Sequence, residues 1–114
     1  MKRHQDTGRF AERHLAGVDD QGSEERITIW LERKSGAIWA VGRAVNVQHR
    51  SSDEPRPDDY SFEGFELEDA LDAANEALED DVRVLEEDGR DLDVKPFRRD
   101  EVLKPLERWF FGRA

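Results

Sequence analysis

The side chains of this chain that could do chemistry form three groups, each needing a different kind of support. His49, Ser51, Ser52 and Asp53 include the residue types of a nucleophilic triad. A triad, however, is assembled from rigid elements that converge in space, and these neighbours share one connection, HRSSDEPRPDD, with two prolines and alternating charges. In the same stretch Asp53, Glu54, Asp58 and Asp59 offer the oxygen ligands that a hard divalent cation takes, although a solvated loop accounts for them better. The sequence EEDGRDLDV resembles a calcium loop superficially, but setting Gly89 at the sixth position puts Val84 first and Lys95 last, and neither side chain can ligate. His4 and His14 stand in a polar N-terminal stretch, and no glycine loop fit to cradle phosphate occurs. These patterns imply no catalytic residue, no metal and no cofactor, so the chain is expected not to be an enzyme.

The third group is the carboxylates between Glu66 and Gly89, ELEDALDAANEALEDDVRVLEEDG. Leu67, Ala70, Leu71, Ala74, Ala77, Leu78, Val82 and Leu85 recur at intervals of three and four, which places them on one stripe of a 3.6-residue period and predicts a single amphipathic helix. Its other side is acidic. From Glu66 to Asp93 there are 13 acids against Arg83 and Arg90, a balance of −11, while the rest of the chain carries 15 acids and 16 bases, a balance of +1. The body is thus nearly neutral, with one strongly negative face that repels phosphate and attracts basic partners. Glu86, Glu87 and Asp88 crowd the negative end of the helix macrodipole, where each carboxylate costs a few tenths to about 1 kcal/mol. Solubility is one explanation; presentation of carboxylates to a partner's lysines and arginines is the other. The candidate partner contacts are Glu76, Glu79, Asp80, Glu86, Glu87 and Asp88, together with Trp30 and Trp109.

Such a helix needs a sheet beneath it. Arg26 to Arg33 (RITIWLER) and Ala37 to Gln48 (AIWAVGRAVNVQ) alternate with strand period and predict a hairpin across Lys34, Ser35 and Gly36. A three-residue loop there puts Ile27, Ile29 and Leu31 on one core face with Trp39, Val41, Val45 and Val47. The opposite face carries Trp30 beside Ala40, Gly42 and Ala44, a shallow surface on which something flat could pack. Tyr60 to Phe65 supplies a third strand leading into the helix, and Gly89 is a stop signal. Asp91 to Lys95 is a candidate fourth strand, and Asp100 caps an expected helix from about Glu101 to Phe111, interrupted by Pro105. The aromatic end Trp109, Phe110 and Phe111 either docks on the Trp30 face or crosses a dimer interface, so a homodimer stays open. Residues 1–24 read as a polar, partly disordered arm, with a short helix conceivable over Arg9 to Ala16. The expected organisation is therefore an arm at 1–24 and a single α+β domain at 25–114. That domain is a three- to four-stranded antiparallel sheet in the order β-β-β-α-(β)-α, with a long acidic helix on one face and a short C-terminal helix.

Composition bounds the rest. The chain has 114 residues, 36% of them hydrophobic and 40% charged, with a mean hydropathy of −0.92, enough for one modest core. No apolar run is long enough to span a bilayer and no secretory signal precedes the domain, so a soluble, cytoplasmic protein is expected, with no membrane partner. There is no cysteine, which excludes disulfides and thiolate metal sites. Trp30, Trp39, Tyr60 and Phe62 lie on expected strands but few bases accompany them, and the basic C-terminal residues Lys95, Arg98, Arg99, Lys104, Arg108 and Arg113 are diluted by Asp100, Glu101 and Glu107. Direct nucleic-acid binding is therefore unlooked-for.

The strands followed by FEGFELEDALDAANEALEDDVRVLEEDGRDLDVKP resemble HicB-type antitoxins. In that family a strand leads into a helix of the L-E-E-A-L-x-x-A-x-E-A-L kind, here Leu67-Glu68-Asp69-Ala70-Leu71-Asp72-Ala73-Ala74-Asn75-Glu76-Ala77-Leu78, and Glu86-Glu87-Asp88-Gly89 with an extended segment follows. The similar stretch covers about a quarter of the chain. Glu66 stands where the family has a threonine cap, the charged loop 51–59 replaces its Pro-Asp-Leu-Pro-Gly segment, and nothing after Lys95 looks like an added DNA-binding module. The resemblance implies a sheet-and-helix domain that neutralises a small basic toxin. Two function classes follow: an interaction protein, antitoxin-like or otherwise inhibitory, that meets a basic protein through its acidic helix, and a small enzyme or ligand-binding domain that uses the 49–59 loop.

Overall fold

The computed structural model describes residues 8–18, 21–34, 37–46, 55–87, 89 and 92–104. Four strands, β1 (Gly8–Val18), β2 (Glu24–Lys34), β3 (Ile38–Val45) and β4 (Tyr60–Gly64), form an antiparallel meander in the order β1-β2-β3-β4. One long helix, α1 (Leu67–Glu87), crosses one face of that sheet, and a short helix follows at 99–104. The class is α+β. Among the described residues no helix is long and apolar enough to cross a membrane.

The hairpin of β2 and β3 has the expected faces. Ile27 pairs with Val45, Leu31 with Val41, and Trp30 with Gly42 on the other side. Lys34 pairs with Ile38, so the three-residue loop is 35–37 rather than 34–36, displaced because Lys34 extends β2 by one residue. That displacement shifts the pairing by two, which leaves every side chain on its expected face. Ala37 takes the left-handed conformation at φ 65°; Ser35, Gly36 and Val47 lie outside the described residues.

The first strand departs from expectation. Gly8–Val18 is neither part of a loose arm nor helical over 9–16, but pairs along its length with β2. Ala11, Arg13, Leu15 and Gly17 stand opposite Leu31, Ile29, Ile27 and Glu25, and Ala11 and Leu15 are buried in the core. Arg13 in the middle of this row hides the period-two pattern from sequence reading, because a guanidinium is an improbable core-facing group until its partners are known. Gly17 lets Leu85 pack close: a Cβ there would come within 2.5 Å of Leu85 Cδ2, so that methyl would have to move aside.

On α1 the stripe is buried as its spacing demands. Ala70, Leu71, Ala74, Leu78 and Leu85 are covered by the sheet, each buried leucine contributing about 1.5–3 kcal/mol. The helix begins after Glu66, whose carbonyl accepts the Ala70 N–H at 3.2 Å, with Glu68 and Asp69 in the first turn, where the dipole favours them. It ends at Glu87; Gly89, left-handed at φ 89°, sends its N–H back to the Glu86 carbonyl at 2.9 Å.

No strand forms over 92–98. The polar groups of this segment are met by side chains instead of a ladder. Arg13 Nε donates to the Lys95 carbonyl at 2.8 Å and Nη2 to that of Pro96 at 2.9 Å. Asn75 both accepts the Phe97 N–H at 2.7 Å and donates Nδ2 to the Phe97 carbonyl at 3.1 Å. Phe97 and Val102 are thereby drawn into the core. The final helix starts two residues before the expected Glu101, and its first turn is closed by Glu101 rather than Asp100: the Arg98 N–H donates to Glu101 Oε1 at 2.9 Å.

Candidate functional site

The site assembled here is the outer surface of α1. Glu76, Glu79, Asp80, Glu86 and Glu87 are all exposed, because the turns that bury Ala74, Leu78 and Leu85 must turn these positions outward. The acids divide between two flanks. Glu76 and Asp80 border a hollow of about 340 Å³ beside β4, with Ser61, Phe62, Ala73 and Ala77. Glu79 and Glu86 border a groove of about 560 Å³ against the 92–98 segment, lined also by Leu78, Val82, Val94 and Pro96. Asp88 lies outside the described residues.

Among the described residues, four arginines near α1 are already engaged. Arg43, from the core face of β3, donates Nε and Nη2 to Asp81 Oδ2 and Oδ1 at 2.7 and 2.8 Å. The bond to Asp81 raises the Arg43 pKa, against partial burial, with help from the charges of Asp81 and Glu25. Arg83 bonds Asp80 at 2.7 Å, and Arg99 pairs with Glu68 at 3.2 Å. Arg13 makes a two-pronged contact with Glu101 at 2.6 and 3.0 Å and lies 4.5 Å from the Phe97 ring centre. Partial burial alone would raise the Glu101 pKa, but the bonds from Arg13 and the Arg98 N–H, with both charges, outweigh it and hold the carboxyl below its usual value. Among the described residues no base pairs with Glu76, Glu79, Glu86 or Glu87, and the last turn of α1 contains none.

Trp30 is not beside these acids. It lies on the opposite face of the sheet and is only 1% exposed, so its indole is not an open contact surface. Its Nε1–H donates to Glu32 Oε1 at 2.9 Å, and the Tyr60 hydroxyl donates to the same oxygen at 2.7 Å. The Arg9 guanidinium stands 4.0 Å from the Trp30 ring centre and Lys34 Nζ 3.7 Å from that of Tyr60. The two rings meet edge to face at 5.8 Å. Burial, then the Glu32 bond and charge, push the Tyr60 phenol up to about 12, leaving it a neutral donor at physiological pH. The sequence carried part of this signal: Trp30, Glu32 and Lys34 alternate on one face, but Tyr60 and Arg9 join them only through the meander. Trp109, the second aromatic candidate, lies outside the described residues, as do Phe110 and Phe111, and with them the expected docking of the aromatic end on the Trp30 face or across a dimer.

The loop candidates are likewise divided. Residues 49–54, with His49, Ser51, Ser52, Asp53 and Glu54, lie outside the described residues. Pro57–Asp59 forms a single 3₁₀ turn, in which Asp59 is buried and its carboxylate accepts the Arg56 N–H at 2.8 Å. Asp58 is exposed. Among the described residues no three His, Cys, Asp or Glu side chains gather as a metal site would need. Two residues that sequence reading passed over hold the site together: Asn75, quoted only as part of a helix pattern, and Arg13, assigned to the arm.

No protein-family model matches the chain, and no curated protein or solved structure is significantly similar to it.

Proposed function

We propose that this chain is a small, cytoplasmic protein-interaction domain that binds a basic protein through the acidic surface of α1, in the antitoxin-like or otherwise inhibitory manner implied by its resemblance to HicB-type antitoxins. The observation that carries the proposal is a set of exposed carboxylates on α1 that pair with no base among the described residues. Glu76, Glu79, Glu86 and Glu87 project to solvent, while Arg43, Arg83, Arg99 and Arg13 are each spent on another acid. Glu86 and Glu87 also sit at the negative end of the helix, where about 0.3–1 kcal/mol per charge is lost to the dipole. A partner's lysines or arginines relieve that loss on binding, and the same field speeds encounter at low ionic strength.

The test is affinity capture from the native host with the wild-type chain and with Glu76→Gln/Glu79→Gln/Glu86→Gln/Glu87→Gln, at low and then high salt. The expected result is a basic protein retained by the wild type at low salt, released by salt and not retained by the variant. Equal recovery on both chains, or no basic protein on either, overturns the proposal.

A further inference from the structure

The two flanks of α1 differ in what lies between their carboxylates. On the β4 side Glu76 and Asp80 border a smaller hollow with Ser61 and Phe62, and Asp80 is already bonded to Arg83. On the other side Glu79 and Glu86 stand over a larger groove with an apolar floor of Leu78, Val82, Val94 and Pro96. Glu79 and Glu86 are seven residues apart, so they lie two turns and about 10 Å apart along one side of the helix. Val82 falls between them. Arg83 also lines this groove, but its charge is met by Asp80 at 2.7 Å, which leaves the border negative.

We infer that this groove receives the partner: it takes a basic amphipathic segment of a protein, presenting one large apolar side chain between two lysine or arginine charges about 10 Å apart. The inference rests on the proposed function and narrows it to one flank. Charge complementarity sets the sign of the occupant, since the border carboxylates, which pair with no base among the described residues, repel an acidic segment and attract a basic one. The floor sets its amphipathic character. A volume of about 560 Å³ accommodates a leucine, phenylalanine or tryptophan side chain with room to spare, and desolvating that side chain supplies affinity that a bare polycation cannot gain.

The experiment uses the full chain at low salt and two fluorescent probes: a leucine-lysine peptide with the stated spacing and an oligolysine of equal charge. Three variants are compared with the wild type: Glu79→Gln/Glu86→Gln and Val82→Ser in the groove, and Asp69→Asn/Asp72→Asn outside it, an exposed pair that removes the same charge. The amphipathic peptide is expected to bind more tightly than oligolysine. The groove pair weakens it by about three- to tenfold, as two partly screened ion pairs would; Val82→Ser also weakens it, and the outer pair changes it by less than about twofold. Equal binding of the two peptides, or an effect confined to the outer pair, overturns the groove while leaving an acidic-helix function standing. Failure of both peptides to bind overturns the two together.

Discussion

Replacing Gly42 with alanine tests how the face of the sheet opposite α1 is closed. Gly42 lies across from Trp30 in the β2–β3 ladder, and a Cβ built on it would fall inside the indole, against Cζ2, Cε2 and Cη2. The ring has little freedom to retreat. It is 1% exposed, bonded to Glu32 at 2.9 Å and faced by Arg9 at 4.0 Å. Overpacking of this kind costs about 1–3 kcal/mol, and loss of the hydrogen bond to the Glu32 carboxylate adds about 1.5–3 kcal/mol. Alanine in a strand recovers about 0.5–1 kcal/mol over glycine. The net expectation is a loss of about 1.5–5.5 kcal/mol, or a fall in Tm of about 6–44 °C for a domain of this size. Urea denaturation followed by far-ultraviolet circular dichroism measures it. The decisive control is the same substitution in a Trp30→Leu background, where the smaller side chain leaves room and Gly42→Ala should cost less than about 0.5 kcal/mol. A Gly42→Ala chain as stable as wild type, or an equal loss in both backgrounds, refutes the reasoning.

Three further outcomes follow from single contacts. Asn75→Ala leaves the N–H and carbonyl of Phe97 without their side-chain partner and should cost about 1–3 kcal/mol, with faster amide exchange at Phe97 while the centre of α1 stays protected. Arg43→Met strands the carboxylate of Asp81, which is 12% exposed, and should cost about 1–2 kcal/mol by thermal denaturation, much of which the double variant Arg43→Met/Asp81→Leu restores. The chain has a single tyrosine, so ultraviolet absorbance reports Tyr60 alone, which should ionise near 12 in the folded protein and near 10 once unfolded. Since the unfolded chain releases that proton first, the Tyr60 contribution is intact below pH 10 and lost as pH rises through the interval up to 12, which urea midpoints across that range will show.

Local periodicity made the centre of this fold legible. The three- and four-residue spacing from Leu67 to Leu85 specifies both the helix and its buried side, and the alternation in RITIWLER and AIWAVGRAV specifies the faces of β2 and β3 even though the pairing shifts by two. The exposed acids of α1 were legible for the same reason. Where the reading departed from the structure, a polar side chain supplied what a hydrophobic pattern normally announces. Arg13 breaks the alternation of β1, and its guanidinium is made acceptable by Glu101 and two carbonyls more than eighty residues away. The segment 92–98 has strand-like residues, yet Asn75 and Arg13 meet its backbone and no ladder forms. The functional signal in Trp30 was misplaced likewise, because Glu32, Tyr60 and Arg9 close over it.

The sequence by itself determined the class of the fold, the outward acidic side of α1 and the chain's division into a neutral body and one negative surface, since each depends on residue type and spacing along a regular backbone. Only the tertiary structure decided that β1 belongs to the sheet, that the acids part into two flanks, and that one flank borders an apolar groove. Those features arise from contacts between residues far apart in the chain: Arg13 with Glu101, Asn75 with Phe97, and Leu85 over Gly17. No local period encodes them, because whether a buried polar group is tolerated depends on a partner that folding alone brings within reach.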